Sequence, residues 1–132
     1  MIVVDSSVWI SYFNNKPVEI AELLSQALNH GEDVAIIPMI LSEVLSGFKN
    51  DQDFKDAFKV LTRVPILPLT VETHIEAAQM YRHLRKKGIT VRGVVDCIIA
   101  QACIDTQSPL MTLDKDFRRI ANYTSLNLFE AP

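Results

Sequence analysis

The chain has 132 residues, 48% of them hydrophobic and 22% charged, with a formal net charge of −3. That length suits one domain with its own core, and the composition excludes disorder. The slight acidity excludes binding of nucleic acid through the overall field, so any such contact must be local.

From the N-terminus, Ile2–Val4 predicts a strand ending at Asp5. MIVVDSSVWI has no basic lead segment and carries Asp5 where a secretory leader stays apolar, and no run approaches 18 uncharged apolar residues, so a cytosolic location off the membrane is expected. Val18, Ala21, Leu24 and Leu28 form one helical stripe. Val34–Ile37 predicts a second strand, and PMILSEVLSGF, a helix carrying Glu43, follows directly. Asn50 stands before the acidic turn of Asp51 and Asp53, with Lys59 and Arg63 near the far end, a charge order that agrees with a helix dipole. The stripe of that helix is Phe54, Ala57, Phe58 and Leu61. Ile66–Leu69, between two prolines, is a weaker strand candidate; Ile75, Ala78, Tyr81 and Leu84 predict a further helix. Pro109–Thr112 and Leu126–Phe129 are the last strands, either side of the short helix KDFRRIA. Strands alternating with helices predict an α/β fold: a single three-layer α/β/α domain over residues 1–132, with a central, mostly parallel sheet of four to five strands.

VVDCIIA, Val94–Ala100, sets one acid inside an apolar helical run. At about 100° per residue Asp96 shares a face with Ile99, Ala100 and Cys103, while Gln101 and Asp105 project elsewhere. An ionised carboxylate taken out of water needs a cation, a donor or a metal, or else a proton. Cys97 and Cys103 lie about 120° apart on the same helix, so they neither bridge each other nor form a metal site alone.

Parallel α/β sheets place their sites beyond the C-terminal ends of strands. Asp5 ends one strand, Asp114 and Asp116 follow another, and Glu43 lies on the helix after a third. Taken singly, Asp5 reads equally well as a helix N-cap, Asp114 or Asp116 as a cap of KDFRRIA, and Glu43 as a surface residue. Arg92, four residues before Asp96, is an ion-pair partner if the helix reaches back that far. Gathered together, the acids repel one another unless a divalent cation joins them. Oxygen ligands without a His or Cys cluster favour Mg²⁺ or Mn²⁺ over zinc, and such a site suits phosphoryl chemistry. Arg82, Arg85, Lys86, Lys87 and Arg92 form a cationic stretch before Asp96, and Lys115, Arg118 and Arg119 a second one beside Asp114. A polyanionic substrate would need such a rim.

In MIVVDSSVWISYF, PMILSEVLSGF, GITVRGVVDCIIAQACI, PLMTLDKDF and LNLF, the chain resembles the PIN-domain ribonucleases, and among them the VapC-type toxins of toxin–antitoxin systems. The resemblance implies that Asp5, Glu43, Asp96 and Asp114 are the catalytic acids, with Asp5 and Asp96 the principal metal ligands, Asp114 a further or water-mediated ligand, and Glu43 a carboxylate that either stands behind the ligands or activates water. It makes Asp116 an accessory acid and gives Ser6 and Thr112 hydroxyl positions beside the acids; Arg92, by contrast, is read from its place in the sequence, either stabilising Asp96 or reaching for the substrate. It further implies Mg²⁺- or Mn²⁺-dependent endonucleolytic cleavage of RNA leaving 5′-phosphate and 3′-hydroxyl ends, a homodimer, and a complex with a small VapB-type antitoxin.

Two other readings, one of them an enzyme, fit less well. A haloacid-dehalogenase-like phosphatase wants a second acid two residues after Asp5, where Ser7 stands, and a signalling receiver wants an aspartate after its third strand, which IPMILSEV and ILPLTVE lack. A binding-only module that receives a partner's basic residues is the non-enzymatic alternative.

Overall fold

The computed structural model describes residues 1–130; residues 131 and 132, included in the expected domain, lie outside the described residues. Three short strands, β1 (Ile2–Val4), β2 (Val34–Ala35) and β3 (Leu110–Met111), form a parallel sheet in the order β2-β1-β3. Ile2 pairs with Val34 and Val3 with Ala35 on one side; Val3 pairs with Leu110 and Val4 with Met111 on the other.

The expected four to five strands are therefore three among the described residues. The two further candidates appear as single parallel bridges at opposite edges, Ile36 with Ile66 and Leu110 with Leu128. Both are brief for a physical reason. Pro65 and Pro68 flank Ile66 and remove backbone donors, while the Leu128 segment meets the sheet only through Leu110, whose N–H donates to Asn127 O at 2.9 Å and whose O accepts from Phe129 N–H at 2.8 Å.

Seven helices surround the sheet: α1 (Ser6–Phe13), α2 (Glu19–Asn29), α3 (Pro38–Ser46), α4 (Asp51–Leu61), α5 (Val71–Lys86), α6 (Val94–Asp105) and α7 (Lys115–Tyr123). The chain runs from β1 outward to β2, then back past β1 to β3, so right-handed crossovers place its helices on opposite faces. α1 packs on α2 and α3, and α6 on α5 and α7. Local chemistry sets the boundaries. Asn50 Oδ1 accepts from Asp53 N–H to start α4, Thr70 Oγ1 accepts from Thr73 N–H to start α5, and Pro38 opens α3. Just past α5, Gly88 takes φ +78°, a left-handed turn that favours glycine.

The core joins Val3, Val4, Trp9, Leu24, Ile36, Ile40, Ile99 and Leu110, all buried; each aliphatic side chain so enclosed contributes about 1.5–3 kcal/mol relative to exposure. Three expectations about faces change. α5 buries Thr73, Ala77 and Leu84, leaving Ile75 58% exposed and Ala78 exposed. Phe54 and Phe58 are half-exposed and stack on each other, while Ala57 and Leu61 are the buried residues of α4.

Gln101 is buried, not projecting: its Nε2 donates to Glu76 Oε2 and to Asp105 Oδ1, each at 2.8 Å, and Asp105 Oδ2 accepts from Thr73 Oγ1 at 3.0 Å. One amide thus ties α5 to α6. Gln101→Leu is expected to lower stability by about 1 kcal/mol in urea denaturation; unchanged stability would show that these bonds add nothing to the packing. Cys97 and Cys103 are buried and unbridged, and burial pushes their thiols to about 11 and about 12, so both stay protonated at neutral pH.

Candidate active site

In this topology the winding reverses between β1 and β3, and the crevice beyond their C-terminal ends is where such sheets bind ligands. Asp5 emerges there from β1, and Thr112 and Asp114 from β3. Asp5 is only 4% exposed. It holds the position that precedes α1 without capping that helix through its side chain. Its carboxylate turns instead to hydroxyls. Oδ2 accepts from Ser7 Oγ at 2.8 Å and from Thr112 Oγ1 at 2.9 Å, while Oδ1 has a longer contact, 3.5 Å, with Ser6 Oγ.

Each of the two closer hydroxyls also accepts a bond from the loop after β3. Leu113 N–H donates to Ser7 Oγ and Asp114 N–H donates to Thr112 Oγ1, both at 3.0 Å. These side chains form two rungs between the end of β1 and the end of β3, so the positions of Asp5 and Asp114 are set together. Ser7 is the member that sequence reasoning misses. The signal for it is a hydroxyl residue two places after the acid, in the first turn of the following helix.

Asp114 precedes α7, and its Oδ1 accepts from Asp116 N–H at 2.9 Å. Asp96 lies in the first turn of α6, 8% exposed, with Oδ2 buried and without a hydrogen-bond partner. Among the described residues, Asp96, Asp114 and Asp116 each bring a carboxylate oxygen within 4.8 Å of the others. Asp5 stands beside this group and raises the pKa of Asp96, as do Asp114 and Asp116. Burial is the largest influence, the Arg92 charge opposes it, and the net result moves Asp96 to about 6.

Glu43 on α3 is exposed and meets Ser6 Oγ at 3.5 Å through Oε2; partial burial, then the charge of Asp5, raises its pKa. All four acids named from the sequence therefore belong to one neighbourhood, with Glu43 at its open side.

Arg92 answers a question left open in the sequence. α6 begins at Val94, so Arg92 is outside the helix and does not pair with Asp96 along it. Its Nη2 lies 2.6 Å from Asp114 Oδ2 and its Nε 3.9 Å from Asp116 Oδ2, while its side chain stays 75% exposed. Arg119 secures the same loop, donating to Thr90 O at 2.8 Å and reaching Asp116 Oδ1 at 3.6 Å.

This donor set fits a hard divalent cation. It offers several carboxylate oxygens and no sulfur or imidazole, and the orphaned Asp96 oxygen is the kind of buried acceptor that a cation satisfies.

Comparison with known proteins gives these residues a context. A family model described as the PIN domain matches residues 2–123. Ribonuclease VapC11 of Mycobacterium tuberculosis H37Rv is 33% identical over 133 residues, covering 96% of each chain, and the VapC ribonuclease Mb1587 of Mycobacterium bovis matches to the same extent. Among solved structures, VapBC2 from Rickettsia felis bound to a promoter DNA fragment has a TM-score of 0.77 at 22% identity, over 98% of both chains. VapBC-1 from nontypeable Haemophilus influenzae gives 0.75 at 24%, again over 98% of both. These two likenesses bear on the fold, while the family match and the mycobacterial relatives bear on kinship. Together with the acids at the β1 and β3 ends, they show that the chain belongs to the PIN-domain family and, within it, to the VapC group.

Proposed function

We propose that this chain is a VapC-type toxin, an endoribonuclease that hydrolyses RNA phosphodiester bonds with Mg²⁺ or Mn²⁺. The observation that carries the reading is Asp96, an acid sunk in an apolar helix with one oxygen unpartnered and two further carboxylates within 4.8 Å. PIN-domain nucleases generally depend on divalent metal, and Asp96, Asp114 and Asp5 are the residues that would hold it, with Asp116 in support. When bound, such a cation polarises a phosphoryl oxygen, lowers the pKa of water and neutralises the leaving oxygen.

The protein's own groups do the remaining work. Glu43, whose raised pKa makes it a better proton acceptor than an ordinary surface glutamate, takes a proton from the attacking water. Ser6 Oγ, 3.5 Å from both Glu43 Oε2 and Asp5 Oδ1, links that carboxylate to the anchored acid. Arg92 offers an exposed guanidinium to a phosphate beside the acids. Water adds to phosphorus, the bond to the 3′ oxygen breaks, that oxygen takes a proton from solvent while Glu43 returns its own to solvent, and the ends are a 5′-phosphate and a 3′-hydroxyl.

The relatives in the structural comparison are named as VapBC complexes. A small VapB-type antitoxin is accordingly the proposed partner of this chain, with a homodimer as its assembly and the cytoplasm as its location. No helix among the described residues is long and apolar enough to cross a membrane.

Purified protein freed of any partner is expected to cleave structured RNA with Mg²⁺ or Mn²⁺ and to stop when EDTA is added. Sequencing the cut ends would identify the target and the end chemistry together. Cleavage that persists without metal, or a folded protein that cuts no RNA with either ion, would defeat the reading.

A further inference from the structure

The geometry points to a nucleotide-binding cleft beside the acidic centre, which holds the RNA on one side of the bond to be cut. This inference rests on the ribonuclease reading and adds a residue-level subsite to it. A cleft of about 680 Å³ opens between the end of β3, α7 and the segment around Leu128. Thr112 and Asp114 line one part of it, so it is continuous with the centre that carries Asp5 and Asp96.

Two kinds of surface meet in this cleft. Lys115 and Arg118 supply positive charge, and neither forms an ion pair or a side-chain hydrogen bond among the described residues. Arg119, also in the lining, is already committed to Thr90 O and Asp116. Two uncommitted cations next to a cluster of acids suit a phosphate, because the acids alone would repel one. Phe129 and Leu128 provide the second surface, apolar and half-buried, with the exposed acid Glu130 beside Phe129 in the same lining.

Cations for a backbone and an aromatic face for a base are the pairing that single-stranded nucleic acid requires. The Phe129 backbone is held in place by its N–H bond to Leu110 O, so the ring is presented by a fixed segment at the sheet edge. Lys115 and Arg118 contact the phosphate of the nucleotide next to the cleaved bond, and Phe129 stacks on its base.

The test uses Asp96→Asn protein, which is expected to hold RNA without cutting it, and a fluorescein-labelled oligouridylate read by anisotropy. Adding Arg118→Ala is expected to weaken binding and to reduce the slope of log K against log salt by about 0.7, the change for one phosphate contact on a single strand. Adding Phe129→Leu, which keeps an apolar side chain, is expected to weaken binding at least about fivefold and leave the salt slope unchanged. Phe129→Trp should restore it. Equal affinity and equal slope in all these proteins would overturn the cleft while leaving the ribonuclease reading intact. Absence of RNA binding by Asp96→Asn, together with absence of cleavage by the unsubstituted protein, would overturn both.

Discussion

Asp96→Asn is expected to abolish RNA cleavage and, in metal-free protein at neutral pH, to raise stability. The loss of cleavage follows from removing the charge of a buried acid in the proposed metal site. The gain in stability follows from the same burial. In the folded protein the carboxyl titrates at about 6, against 3.8 for an ordinary aspartate. The folded state therefore holds the proton more tightly than the unfolded state does. Its contribution to stability is complete below about pH 4 and declines as the pH rises through 6. By neutral pH about 3 kcal/mol has been lost, at about 1.4 kcal/mol for every pH unit that separates the folded from the unfolded titration.

Asparagine carries no charge to desolvate, and its amide donates to neighbouring carboxylates. A gain of about 1–3 kcal/mol at pH 7.5 is expected, shrinking towards zero at pH 4. Urea denaturation in EDTA at both pH values measures it, alongside a cleavage assay. Equal or lower stability of the variant at pH 7.5, or retained cleavage, would contradict these expectations. Metal and proton compete for the same carboxylate, so metal affinity of the unsubstituted protein should fall as the pH drops below about 6.

The second large effect is expected at Thr112, which offers no carboxylate to a metal but holds two of the proposed metal-binding acids in place. Its hydroxyl donates to Asp5 Oδ2 and accepts from Asp114 N–H. Thr112→Val keeps the shape and removes both bonds. Asp5 is then left with Ser7 alone on Oδ2, and the Asp114 backbone loses its acceptor. Bonds of this kind behind a metal ligand are worth about 10- to 100-fold in metal affinity or activity. Valine should therefore reduce metal affinity by that factor, measured by calorimetry, and lower stability by about 1–3 kcal/mol. Thr112→Ser should recover most of both. A valine variant with unchanged affinity would show that Ser7 alone sets the position of Asp5.

These two residues also mark how far a sequence can be read. Asp96 stands out because a charge in an apolar helical run breaks a local pattern, and its neighbours Asp5 and Asp114 stand out because each follows a recognisable strand. Thr112 is visible only by resemblance, and Ser7 only by its place two residues after the acid, since its tie to Leu113 N–H lies 106 positions along the chain. The buried face of α5 is hidden from periodicity because Thr73 and Ala77 are small or polar, yet they are what packs against α6, while the more apolar Ile75 faces outward. The edge candidates at Ile66 and Leu128 look like strands by composition, but a strand's length at a sheet edge depends on how much of its neighbour is free to pair. The partner of Arg92 is not legible because one turn of helix, present or absent before Val94, decides whether it meets Asp96 or Asp114.

The two hydroxyl rungs between β1 and β3 have a consequence for synthesis on the ribosome. Asp5 leaves first, but its partner Thr112 is 107 positions behind, and Asp114 follows that. Segments fold as they emerge, N-terminal parts first. Until the segment with Thr112 emerges, this chain therefore carries Asp5 without the frame that holds it. A nuclease assembled in this order cannot complete its acidic centre before Thr112 and Asp114 have been made.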